Sequence, residues 1–183
     1  MNRKYDNLLQ IAIMAHNEEK IISRAIESCF KQNCPQGFLI NVLVVANGCS
    51  DRTEEIVSGM MNKYNNMIEL ITLEKKGKTI ALNKAIEYIE YKVQNGRNIH
   101  YVVFMDADCE FYGNEALCKF INKFQEIPLI CAVGAECVPN IIHLPGKNLI
   151  SDMYMATKEL SNLLVENGIS GGAYCIKTDS YTH

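Results

Sequence analysis

No stretch of the 183-residue chain is apolar for long enough to cross a bilayer. The run Ile11 to Ala15, behind the polar start "MNRKYDNLLQ", is too short for a membrane span or for the core of a secretory signal. The expected location is cytoplasmic, with peripheral membrane association still allowed. Positive charge is not in excess either. The net charge of -3 removes the electrostatic case for nucleic acid as a partner. The eight cysteines contain no C-x-x-C pair, and His16, His100 and His143 are not spaced to complete a zinc site. Most of the cysteines fall in apolar patterns and are expected to be small buried residues of a reducing compartment. Repeats, low-complexity tracts and linkers are missing, which leaves a single domain over 1–183. P-loop and dinucleotide fingerprints are absent, as is a G-x-S-x-G elbow.

What is present is an alternation. Short apolar runs at Ile11–Ala15, Leu39–Ala46, Met67–Leu73, Ile99–Met105 and Leu129–Ala135 read as strands. Between them lie helical patterns, such as Ile21, Ile22, Ala25, Ile26, Cys29 and Phe30. Asn17 is the expected N-cap of the first helix, and Ser50 or Asp51 that of the second. Four β-α units and a further strand predict an α/β fold: an open, mostly parallel sheet with helices on both faces. Beyond Gly134 a helix over 151–165 and a short strand in "SGGAYCIKTDSY" are expected.

Ligands of such sheets bind outside the carboxyl ends of the strands. Four polar loops fall there: "HNEE", "NGCSDRT", "KKGK" and "DAD". The last is the sharpest. In an extended chain residues i and i+2 share a side, so Asp106 and Asp108 are expected to converge. Two converging carboxylates repel unless a cation relieves them, and oxygen donors suit Mn²⁺ or Mg²⁺. Lys75, Lys76 and Lys78 beside Gly77 could meet phosphate charge at a helix start, Lys78 above all. His16 has no visible partner and reads as structural or solvated.

The segments "IAIMAHNEEKIISRAIES", "NVLVVANGCSDRTEEIV", "KKGKTIALNKAI" and "YVVFMDADCEF", in this order, resemble glycosyltransferase family 2, whose fold is GT-A. "SGGAYCIKTDSY" resembles a later segment of that family, near the acceptor side. The resemblance implies a metal-dependent glycosyltransferase that moves a sugar, with inversion, from a nucleotide-diphosphate donor (a UDP-sugar favoured) to a hydroxyl acceptor. That acceptor would be a saccharide, a lipid-linked group or a protein. By matched position Ala15, Asn17 and Glu18 would line the nucleoside pocket. Asn47 and Asp51, Lys78 and Asn83, and Asp106 would contact the donor, and Asp108, with Asp106, would hold the divalent cation. Residues 1–110 would form the donor-binding part and 111–183 a partial, incomplete acceptor-side part.

Two departures from the family's pattern stand out. The second loop's acidic pair, which commonly reads the nucleobase, is here Ala46-Asn47. The chain also ends at His183 before the later acidic motif that supplies the family's catalytic base, and so reads as truncated. Glu136, Asp152, Glu159, Glu166 and Asp179 match no such motif, and the general base is unassigned. The alternative function is a nucleotide-sugar-binding module without turnover. A sugar nucleotidyltransferase ranks last, because "AHNEE" replaces the glycine- and arginine-rich first loop it would need.

Overall fold

In the computed structural model, which describes residues 7–135 and 172–178, the alternation becomes β1 (Asn7–Ala15), α1 (Ile22–Phe30), β2 (Phe38–Asn47), α2 (Thr53–Lys63), β3 (Ile68–Leu73), α3 (Lys78–Gln94), β4 (Asn98–Asp106), α4 (Ala116–Glu126), β5 (Ala132–Gly134) and β6 (Ala173–Lys177). The sheet order is β3-β2-β1-β4-β6-β5. The first four strands are parallel, while β6 runs antiparallel to both β4 and β5.

The expected fifth strand over 129–135 shrinks to three residues. It does not lie beside β4, because β6 is inserted between them. Leu129 is 98% exposed, so the first part of that apolar run has no sheet to join. The expected helix over 151–165 lies outside the described residues, as do the five carboxylates considered as bases. Among the described residues, no helix is long and apolar enough to cross a membrane.

β1 is central and buried on both faces, which explains an apolar run without alternation. Leu9, Ile11 and Ile13 pack with α1, α2 and α4. Ala12 and Met14 point the other way, onto Ala81, Ala85 and Ile89 of α3. The connection through α3 runs from β3 back past β2 and β1 to β4, so it takes the face that α1 and α2 leave free. Ile13 is fully buried; cutting it to alanine should cost about 2–5 kcal/mol.

Behind the sheet, on the α3 face, Lys92 Nζ donates to Gln10 Oε1 at 3.0 Å, Asn41 Oδ1 at 3.2 Å and Glu69 Oε1 at 2.8 Å. One side chain thus joins α3 to three strands. Its ammonium also lies 5.7 Å from the Tyr88 ring centroid.

The cysteines divide. Cys29 and Cys175 are buried, and burial pushes both thiols up to about 12. Cys34 and Cys131 are exposed, against expectation, because they lie in connections rather than on core faces. All described cysteines are free thiols.

Candidate donor-binding site

Pairing aligns the strand ends. Ala15 sits opposite Ala46, and Met14 opposite Asp106. The loops after β1, β2 and β4 therefore start side by side. Neighbours β2 and β4 flank β1, and their connections leave in opposite directions, which is where an open sheet forms its crevice.

The loops after β1 and β2 are fastened to each other. Asn17 has φ 57°, a left-handed conformation that asparagine tolerates better than most residues. It does not cap α1, which begins five residues later. Its Oδ1 accepts from the Ser50 N–H at 2.8 Å instead. Thr53, fully buried at the start of α2, takes the Glu18 N–H on its hydroxyl oxygen at 2.8 Å. That hydroxyl donates to Asp51 Oδ1 at 2.6 Å. Asp51 also accepts from the N–H groups of Thr53 and Glu19, both at 3.0 Å. Burial pushes the Asp51 carboxyl up, but the Thr53 hydroxyl and the two N–H groups outweigh it and leave the acid below its ordinary value. The residue preceding α2 is Arg52, not Ser50 or Asp51. Asp51 serves the helix start from one position further out.

Asn47 ties these loops to the next one. Its side chain is buried, with Nδ2 donating to the Ala15 carbonyl at 2.7 Å and Oδ1 accepting from the Gly77 N–H at 3.0 Å. The Asn47 carbonyl lies 2.8 Å from His16 Nδ1. A carbonyl only accepts, so Nδ1 carries the proton, and His16 has a backbone partner that the sequence did not reveal. Gly48 follows at φ 61°, with the Lys75–Lys76 backbone so near that a Cβ there would lie 2.7 Å from Lys76 N. Any larger residue would push the "KKGK" loop away.

The end of β4 differs in kind. The strand stops at Asp106, and the Cys109 N–H returns to the Asp106 carbonyl at 3.1 Å. Residues 106–109 are therefore a turn, and the expectation of convergence from an extended chain does not apply. The side chains still face a common group. Lys78, the first residue of α3, places Nζ 2.7 Å from Asp106 Oδ1 and 2.9 Å from Oδ2. Its ammonium is held above its ordinary value, chiefly by the hydrogen bond to Asp106 and further by the charges of Asp106 and Asp108, against burial. Asp108 itself is exposed. Glu18 faces it across the crevice: burial first, then Asp108 and Asp51, push the Glu18 carboxyl up, while His16 pulls it down.

Beneath the Lys78–Asp106 pair lies a cavity of about 50 Å³, lined mainly by Met14, Leu82, Phe104 and Tyr174. Tyr174 stacks on Phe104 at 5.2 Å, and the Asp106 N–H donates to the Gly172 carbonyl at 2.8 Å. Gly172 and Tyr174 thus support the aspartate turn from the neighbouring strand.

The structure gathers Ala15, Asn17, Glu18, Asn47 and Asp51 into one set of joined loops. It brings Lys78, Asp106 and Asp108 together beside them. Asn83 is not drawn in: it is exposed on α3, about 140° round the axis from Lys78 at 3.6 residues per turn. Lys75 and Lys76 are exposed. Thr53 and Tyr174 were not legible as site residues. Thr53 sat in a loop whose Asp and Asn drew attention, and Tyr174 reaches the site only through an antiparallel pairing 70 residues away in sequence, Phe104 with Tyr174.

Among the described residues, no three Asp, Glu, His or Cys side chains stand close enough to hold a metal by themselves. The donor set still fits a hard cation. Asp108 is exposed, and the Asp106 carboxylate already holds a positive charge, the Lys78 ammonium. Asp106 and Asp108 would supply protein oxygens, and a diphosphate and water the remainder.

The model of "Glycosyl transferase family 2" matches residues 10–144. A dolichyl N-acetyl-alpha-D-glucosaminyl phosphate 3-beta-D-2,3-diacetamido-2,3-dideoxy-beta-D-glucuronosyltransferase of Methanococcus voltae is 29% identical over 91% of this chain and 47% of its own length. Glycosyltransferase AglE of Haloferax volcanii is 30% identical over 55% of this chain and 30% of its own. The chain thus spans about half the length of the first of these curated relatives and less of the second. Among solved structures, mannosyltransferase PcManGT of Pyrobaculum calidifontis, in complex with GDP-Man and Mn²⁺, matches 93% of this chain and 44% of its own with a TM-score of 0.66 at 19% identity. Glucosyl-3-phosphoglycerate synthase of Mycobacterium tuberculosis, in complex with Mn²⁺, UDP and glucosyl-3-phosphoglycerate, matches 93% of this chain and 57% of its own with a TM-score of 0.56 at 17% identity. These likenesses give the fold, which is the open, mostly parallel sheet of GT-A proteins. With the family model covering most of its length, the chain belongs to glycosyl transferase family 2.

Proposed function

We propose that the chain is part of a metal-dependent glycosyltransferase that moves a sugar from a nucleotide-diphosphate donor, a UDP-sugar favoured, to a hydroxyl acceptor with inversion. The observation that carries this reading is the charge cluster at the end of β4: Lys78 on Asp106, with Asp108 exposed beside them, at the crevice of a family 2 sheet. A diphosphate arriving there gives Lys78 a second anionic partner and meets the N-terminus of the 17-residue α3. Mn²⁺ or Mg²⁺, held by Asp108 and Asp106, would supply charge to offset that developing on the departing diphosphate. Ala15, Asn17 and Glu18 form the wall on the β1 side, where the nucleoside lies. Asn47 and Asp51 keep that wall in register, and Asn83 lies further along α3.

Inversion requires the acceptor hydroxyl to attack the anomeric carbon from the face opposite the leaving group, losing its proton to a base. Residues 1–110 hold the donor and 111–183 contribute the acceptor side. One relative is named for an acceptor that is a lipid-linked saccharide, which makes that class the first to try. A cytoplasmic protein in peripheral contact with a membrane would suit such an acceptor.

The test is a thermal-shift panel of UDP, GDP, CDP and ADP, each with and without Mn²⁺, followed by transfer assays from the stabilising nucleotide's sugars. A cation-dependent rise in melting temperature, largest for UDP, is expected. No response to any nucleotide refutes the reading. Binding without acceptor-dependent transfer would favour the module without turnover.

A further inference from the structure

We infer that Asn47 is a positioning residue that sets Lys78 against the diphosphate, rather than a reader of the nucleobase. The inference rests on the donor-site reading above and deepens it. A carboxamide has one acceptor end and one donor end, and here each is already engaged by backbone. Nδ2 is 2.7 Å from the Ala15 carbonyl, and Oδ1 is 3.0 Å from the Gly77 N–H. The side chain is buried, and its neighbour Ala46 is fully buried with nothing to offer a base edge.

What Asn47 joins matters more than that it is bonded. Ala15 ends β1, where the nucleoside wall begins. Gly77 immediately precedes Lys78, whose ammonium sits on both Asp106 oxygens. The link therefore runs from β1 through Asn47 to Gly77, and from there to Lys78 and Asp106. Gly48 lets the same two loops close up, since a Cβ there would strike Lys76 N. With the carboxamide removed, Gly77 loses its partner and α3's first residue loses its tether to the sheet edge. A buried, hydrogen-bonded link of this kind fixes geometry to tenths of an ångström, which is what a charged group acting on a diphosphate needs.

The two roles separate cleanly by ligand. A base reader matters to UDP and GDP differently and to inorganic pyrophosphate not at all. A positioning residue matters to all three alike, and only through Lys78. The experiment measures affinities of UDP, GDP and pyrophosphate, each with Mn²⁺, by calorimetry. The proteins are the wild-type chain, Asn47→Ala, Lys78→Ala and the double variant. Circular dichroism checks their folding.

Asn47→Ala should weaken all three ligands by a similar factor, about ten-fold. The double variant should be no weaker than Lys78→Ala alone, since neighbours acting through one group do not add. Asn47→Asp keeps the acceptor for Gly77 but sets an oxygen against the Ala15 carbonyl. It should fall between wild type and Asn47→Ala, and it carries the test if the alanine variant fails to fold. Unchanged pyrophosphate binding in Asn47→Ala, or fully additive losses in the double variant, overturns the inference while leaving the donor site intact. A wild-type chain that binds none of the three overturns the donor-site reading and the inference with it.

Discussion

Helix α3 carries a lysine near each end, and each holds a carboxylate at almost the same distance. Lys78 Nζ is 2.7 Å from Asp106, and Lys92 Nζ is 2.8 Å from Glu69. Their surroundings are opposite. The Lys78 side chain is 70% exposed, and among the described residues Asp106 is its one salt-bridge partner. The Lys92 side chain is 10% exposed and has two further oxygen partners, Gln10 and Asn41. A saturated buried cation has no capacity left for a ligand and resists removal. An exposed cation on one partner adds little to stability and can exchange that partner for a diphosphate. Distance alone would have called the two pairs alike; burial and the number of partners assign their roles.

That contrast can be broken by substitution. Lys92→Met should destabilise the chain by about 2–3 kcal/mol, because Glu69 is left half-buried without its cation. Nucleotide affinity at saturating folded protein should not change; chemical denaturation and calorimetry check both halves. Lys78→Met should do the reverse. Nucleoside diphosphate affinity should fall about ten-fold, about 1.4 kcal/mol, with stability altered by less than about 1 kcal/mol. Equal stability losses at the two ends would erase the distinction.

A smaller effect sharpens the view of the crevice. Burial, Asp108 and Asp51 raise the Glu18 carboxyl above its ordinary value, 4.5. A raised acid binds its proton more tightly when folded than when unfolded. Ionised Glu18 therefore costs stability above that range, and the cost vanishes as pH falls through the raised value. Glu18→Gln should raise the melting temperature at pH 7 by an amount worth under about 1 kcal/mol. The gain should disappear below pH 4.5, and a pH series of melting temperatures shows whether it does.

Much of this was legible in the sequence. The runs around Ile11, Val42 and Val103 had to be buried strands, because they are apolar on both faces. The loops at their ends had to meet on one edge. The family's motif order put Lys78, Asn83, Asp106 and Asp108 at the donor; the structure brings Lys78 onto Asp106, with Asp108 beside them, and leaves Asn83 exposed on α3. What escaped was the division of labour among polar residues. Asn17, Asn47 and Asp51 looked like ligand contacts, yet each has backbone partners from neighbouring loops. The partners that join one loop to another lie 30 to 33 residues away in the chain, and no local pattern encodes them. The same holds for β6, whose place between β4 and β5 follows from a crossing far along the chain. The turn at Asp106–Cys109 escaped for a local reason: Ala107 and Asp108 extend the apparent strand pattern, but the chain bends as soon as β4 loses a parallel partner beyond Met14.

The role proposed for the exposed charges at the end of β4 is to hold a cation and a diphosphate together. Calorimetric titration of UDP into the wild-type chain and into Asp108→Ala, with and without Mn²⁺, tests it most directly. Binding that requires Mn²⁺ in the wild type, and that loses its Mn²⁺ dependence together with at least ten-fold in affinity in Asp108→Ala, is the predicted result. UDP binding of equal strength in both proteins, with the same response to Mn²⁺, would contradict it.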